Sequence, residues 1–170
     1  MAGQQNKPEF PHLLAPGRHR MSLSELQRRC VKPFAESATR ERLFFSFATL
    51  LAYLETNAGA CEVWVDGSFV TEKPNPEDID LTIVLHGDEL DRLARDNPTA
   101  AADLILLAQD VRFRPDLHVF MVACRPMGHP HHAIFAQVAN NWAQWWSVTR
   151  ESWFRRRQTL RAYGTASATR

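Results

Sequence analysis

The chain is sparing in several features that would sort it quickly. Its 170 residues hold three cysteines, Cys30, Cys61 and Cys124, scattered without the spacing of a zinc site. An odd number of cysteines with no secretory signal predicts reduced thiols and a cytoplasmic protein. The first ten residues are polar and contain no hydrophobic core of a signal peptide. No apolar run is long enough to span a bilayer, so no membrane partner is expected. An excess of either charge is lacking too. Twenty Lys and Arg face nineteen Asp and Glu, a net charge of +1, which excludes a global pull toward nucleic acid or membrane. No internal repeat is visible.

What is present is an ordinary supply of core. Hydrophobic residues make up 45% and charged residues 23%, enough for one globular domain. The pattern that organises it runs from Cys61 to Asp66, an apolar run ending in Gly67-Ser68. A Pro-punctuated linker follows, and then a second run opens with Asp78-Ile79-Asp80-Leu81. Side chains alternate along a strand, so Asp78 and Asp80 share a face while Ile79, Leu81, Ile83 and Leu85 share the other. At about 3.3 Å rise per residue the two acids stand roughly 6.5 Å apart, close enough to reach one divalent cation. Gly67 allows a sharp turn and a close approach of backbone to ligand. Ser68 adds a hydroxyl beside backbone N–H groups, a combination suited to phosphate. Carboxylates for Mg²⁺ (or Mn²⁺) and a donor-rich turn are the parts that a nucleoside triphosphate needs.

These residues carry a resemblance. Gly-Ser, nine residues and Asp-Ile-Asp-Leu resemble the signature of the DNA polymerase β-like nucleotidyltransferase superfamily. Gly67-Ser68-Phe69-Val70-Thr71, Lys73-Pro74, Pro76 and Asp78-Ile79-Asp80 resemble a small bacterial branch of it, and Ala15-Pro16-Gly17 and residues 23–34 are similar to that branch's lead-in. The likeness is clear over residues 13–85 and weakens beyond Asp116. It implies the minimal nucleotidyltransferase fold, an α/β (α+β) domain with a mixed sheet of at least three strands and helices packed on it. It also implies Mg²⁺-dependent transfer of a nucleoside monophosphate from an NTP to a hydroxyl of RNA, protein or a small molecule, with tRNA or protein the foremost acceptors. Asp78, Asp80 and Asp116 would be the catalytic and metal-binding residues, with Asp116 activating the acceptor. Gly67, Ser68 and Lys73 would bind the nucleotide. The superfamily also contains inactive members, so a non-catalytic partner in a toxin–antitoxin or phage-defence pair is a second reading, and an RNA-binding module a third.

The rest of the chain frames that motif. Residues 1–20 read as an irregular arm, 21–163 as the single domain and 164–170 as a disordered tail. Ser22 to Glu25 form a capping box for a helix from Leu23 that ends before Pro33. Leu43, Phe44, Phe47, Leu50, Leu51 and Leu54 mark one face of a helix over residues 40–56, with Thr39 as its cap. Residues 61–66, 78–85 and 116–123 read as strands, and residues 88–96 and 98–111 as helices, the latter capped by Asn97 before Pro98. Glu62 and Asp66 are expected to face solvent. His118 is expected to be a satisfied core histidine, and His129, His131 and His132 a surface loop without metal. Helical spacing resumes near Ala133. There Trp142, Trp145, Trp146 and Trp153 form a stripe suited to the core, a protein partner or self-association. Six arginines against one glutamate in residues 150–170 include Arg155, Arg156 and Arg157, read either as a solvated helix end or as an RNA-phosphate contact.

Overall fold

The computed structural model describes residues 10–15, 18–58, 61–107, 115–145 and 159–163. Five strands, β1 (Arg18–Met21), β2 (Cys61–Asp66), β3 (Ile79–His86), β4 (Leu117–Cys124) and β5 (Thr159–Tyr163), form one mixed sheet in the order β1-β5-β2-β3-β4. Five α-helices accompany them: α1 (Leu23–Cys30), α2 (Arg40–Asn57), α3 (Gly87–Asp96), α4 (Pro98–Leu106) and α5 (His132–Trp145). β2 and β3 are antiparallel, joined by the loop that carries the Gly-Ser motif. β3 and β4 are parallel, joined by the crossover through α3 and α4, as parallel neighbours require.

The period-2 pattern divides the sheet into two unequal faces. On one, Val63, Val65, Ile79, Leu81, Ile83, Leu85, Leu117 and Val119 are buried with Leu26 of α1 and with Leu43, Phe47, Leu50 and Leu54 of α2. The α2 residues recur at helical spacing and present one apolar stripe. On the other face Trp64, Val84 and Val122 form a small cluster with Phe120 and Phe135. The acidic ends of β2 and β3 lie at the margin of that thinner face.

Local signals explain the helix starts. Ser22 accepts from the Glu25 N–H at 3.2 Å, while the Glu25 carboxylate turns to Arg28 and Arg29. Asn97 caps α4 by accepting from the Ala100 N–H at 3.0 Å. Thr39 makes no side-chain cap on α2. Ser37 replaces it, accepting from the N–H groups of Thr39 and Arg40.

Two segments depart from expectation. The arm is not irregular up to residue 20, because Arg18–Met21 is a strand paired in parallel with β5. Earlier in the arm, His12 bridges Thr71, the Leu13 N–H donates to Val70 and the Glu72 N–H to Pro11. At the other end, Arg161 belongs to a strand beside Trp64 in register. Strand pairing absorbs both segments because β2 would otherwise leave an open edge. The side chains of Trp142 and Trp145 lie outside the described residues, as do Trp146, Trp153, Arg155, Arg156, Arg157 and residues 164–170. Among the described residues, no helix is long and apolar enough to cross a membrane.

Candidate functional site

The loop between β2 and β3 is held by a buried cation. Arg40, at the first turn of α2, is fully buried. Its guanidinium donates to the carbonyls of Cys30, Phe69, Thr71 and Lys73, the last three at 2.6–2.7 Å. Phe34 stacks on it at 3.7 Å. Burial pulls its pKa down, to about 10, against the partial opposing effect of the Cys30 thiol. Three of those four carbonyls belong to residues 69–73, so one fork fixes that loop in space and ties it to the end of α1. Asn75 adds a second tie, accepting from the Ala38 N–H at 2.8 Å and the Ser37 hydroxyl at 3.1 Å. Nothing in the sequence pattern marked Arg40 beyond its place at a helix start. A lone arginine there reads as solvated.

The turn at the head of this loop needs its glycine twice over. Gly67 has φ of 81°, a left-handed conformation that side-chain-bearing residues avoid. A Cβ there would also lie 2.0 Å from Oδ2 of Asp80. Asp80 therefore rests its carboxylate directly on the Gly67 backbone, bringing together the two halves of the motif. Ser68 opens a 3-10 turn (Ser68–Val70) and is half-buried. Its hydroxyl has no hydrogen-bond partner among the described residues, whereas its carbonyl accepts from Thr71. Lys73 turns its ammonium to Glu77 at 3.2 Å.

The strand register places the acids. Asp80 stands opposite Asp66 on β2 and beside His118 on β4. His118 Nδ1 lies 3.0 Å from Asp80 Oδ1. With its side chain 57% exposed, His118 is not the core histidine that was expected. Alternation on a half-covered strand end puts it at the surface beside the acid. Asp66, expected in solvent, is 2% exposed. Asp78 is half-buried one residue before β3. Asp116 precedes β4, and its carbonyl accepts from the Ile79 N–H at 2.9 Å. The entrances of β3 and β4 are therefore level.

Asp116 has a different neighbourhood from Asp80. Its carboxylate is engaged by the Arg42 guanidinium and accepts from the Ser46 hydroxyl at 2.6 Å, both on α2. Among the described residues, no three His, Cys, Asp or Glu side chains gather as a metal-binding group. His129 and His131 sit in the turn before α5, and His132, the first residue of α5, bonds the Arg125 carbonyl. The donors suit Mg²⁺ in a limited form. Asp80 on β3 and Asp78 just before it would offer hard oxygens, and Mg²⁺ commonly takes one or two carboxylates and completes its shell from phosphate and water. In this nucleotide-free arrangement the Asp116 carboxylate is occupied by Arg42 and Ser46.

A model of a family of unknown function (DUF6932) matches residues 8–162. No curated protein and no solved structure matches the chain.

Proposed function

The chain belongs to the DUF6932 family, and we propose that it binds a nucleoside triphosphate with Mg²⁺ or Mn²⁺ and transfers the nucleoside monophosphate to a hydroxyl. The observation that carries this reading is the seat of the Asp80 carboxylate on Gly67. It joins a metal-competent acid to a glycine–serine turn, with little in between but backbone. In this reading Asp78 and Asp80 hold the cation, which supplies charge neutralisation to the phosphates. The Ser68 hydroxyl and the turn's backbone donate to phosphate oxygens. Lys73, paired with Glu77, would contribute only after leaving that partner. The acceptor oxygen bonds the α-phosphorus, the α–β phosphoanhydride bond breaks, pyrophosphate departs and the hydroxyl proton passes to a base. Asp116 can take that proton only when Arg42 does not hold it. RNA, a protein side chain or a small molecule would supply the hydroxyl.

One observation favours the non-catalytic partner as a second reading. The protein covers its own acids, with Arg42 on Asp116 and His118 on Asp80. The experiment that separates them incubates the protein with each α-labelled NTP, Mg²⁺ and bacterial extract. Label appearing in RNA, protein or a small molecule with wild type and disappearing with Asp80→Asn supports transfer. Calorimetric Mg²⁺–NTP binding that Asp78→Asn and Asp80→Asn abolish, without transfer to any acceptor, supports the partner. Undiminished binding in both variants would remove the metal role.

A further inference from the structure

Asp116 and Arg42 form the one ion pair among the described residues that joins α2 to the acidic strand ends. Its two members differ in how firmly they are held. The Asp116 side chain is 14% exposed and the Arg42 side chain 51% exposed. Asp116 is further tied by its carbonyl to Ile79 and by its carboxylate to Ser46. Among the described residues Arg42 makes no other ion pair or hydrogen bond. A guanidinium has five N–H donors, so most of Arg42's remain directed to water. Arg42 and Ser46 lie one helical turn apart and reach the same carboxylate. Two residues earlier on the helix, Arg40 is locked by four carbonyls.

We propose that Arg42 is the resident counter-cation of the acidic site. It holds Asp116 against α2 in the nucleotide-free protein, and it yields that carboxylate when a divalent cation and a nucleotide bind. The proposal deepens the nucleotide-binding reading and rests on it. The physical reason is the level arrangement of the strand entrances. The β3–β4 register sets Ile79 opposite Leu117, so Asp78 and Asp116 each precede a paired residue on neighbouring strands, and Asp80 lies two residues beyond Asp78. Carboxylates at neighbouring strand entrances repel one another. A half-solvated arginine relieves that repulsion yet can be exchanged, because its loss re-exposes a group already half in water. Asp116 would then be open to a divalent cation, which would supply twice the charge of the guanidinium. The displaced guanidinium is then free for an anionic phosphate, which its planar fork fits. Ser46 stays on the other carboxylate oxygen and limits how far Asp116 can swing.

The test measures Mn²⁺ binding to the full chain by paramagnetic resonance and calorimetry, with and without ATP, together with thermal melting in EDTA. Arg42→Gln is expected to bind Mn²⁺ alone roughly three- to tenfold more tightly than wild type. It should melt lower in EDTA and gain more on Mn²⁺ addition, while Arg42→Lys stays near wild type. Ser46→Ala, which changes no charge, is expected to shift Mn²⁺ affinity the same way by a smaller factor. It also serves if Arg42→Gln does not fold. Unchanged or weaker Mn²⁺ affinity in Arg42→Gln overturns the proposal, as does an unmoved Ser46→Ala if that is the variant left. Binding lost in Asp80→Asn but unaltered in Arg42→Gln removes the counter-cation role alone. No Mn²⁺–ATP binding in wild type removes the nucleotide site and this role with it.

Discussion

Two arginines two positions apart on α2 show how one helix can serve two regions under different physics. Arg40 is dry and meets only neutral carbonyls, which cannot move without unravelling the loop. Arg42 is half wet and meets one carboxylate on another element. Removing a charge from the first region strands several buried acceptors, each costly to leave unbonded. Removing one from the second returns a partly solvated acid to water. The Gly67 loop is thus a rigid platform, and the entrances of β3 and β4 are an adjustable wall. The proposed nucleotide site would use both kinds of ground, since preorganised donors bind without reorganising while the acids would have to accept a cation that comes and goes.

The sharpest way to break that contrast is to take the charge out of the platform. Arg40→Met should cost about 3–5 kcal/mol, read as a lower urea midpoint. Arg40→Lys should recover only part, because one ammonium has three donors for four carbonyls. A variant as stable as wild type would mean that the loop is held by Asn75 and the arm instead.

A smaller effect is expected where platform and wall touch. Gly67→Ala forces a Cβ onto the Asp80 carboxylate and imposes a left-handed alanine, together about 1–3 kcal/mol. Adding Asp80→Ala should return part of that loss, so the double-mutant cycle should show coupling above about 0.5 kcal/mol. Additive losses would place the strain in the backbone alone.

The smallest effect is a pH dependence that reports how dry the Arg40 layer is. Burial pushes the Cys30 thiol up, to about 11, with Arg40 and Arg29 opposing it. Its folded value lies above its unfolded one, so the stability it contributes is complete below about pH 9 and is lost as pH rises through about 11. At most about 2–3 kcal/mol is involved. Alkaline unfolding followed in wild type and Cys30→Ala should differ in slope across that window. Equal slopes would indicate that water reaches the thiol.

Much of this was legible in the chain because it depends on short-range rules. Cys61–Asp66 is a strand, as its β-branched and aromatic run predicts, and α2 follows its apolar spacing to within a residue. The Gly67 turn follows from glycine's freedom. The α/β class and the mixed sheet follow from strands alternating with helices. What tertiary structure decided is which charge meets which. Arg40 and Arg42 are alike in sequence, and only the fold buries one against carbonyls and sets the other on Asp116. His118 and Asp66 exchanged their expected places: strand register set His118 beside Asp80 at the surface, and Asp66, opposite Asp80 on β2, is buried. Residues 18–21 and 159–163 became strands through pairing across 141 residues of chain. Local propensity sees only neighbours in sequence, whereas hydrogen-bonded edges and buried charges are settled by whatever the fold brings within a few ångströms.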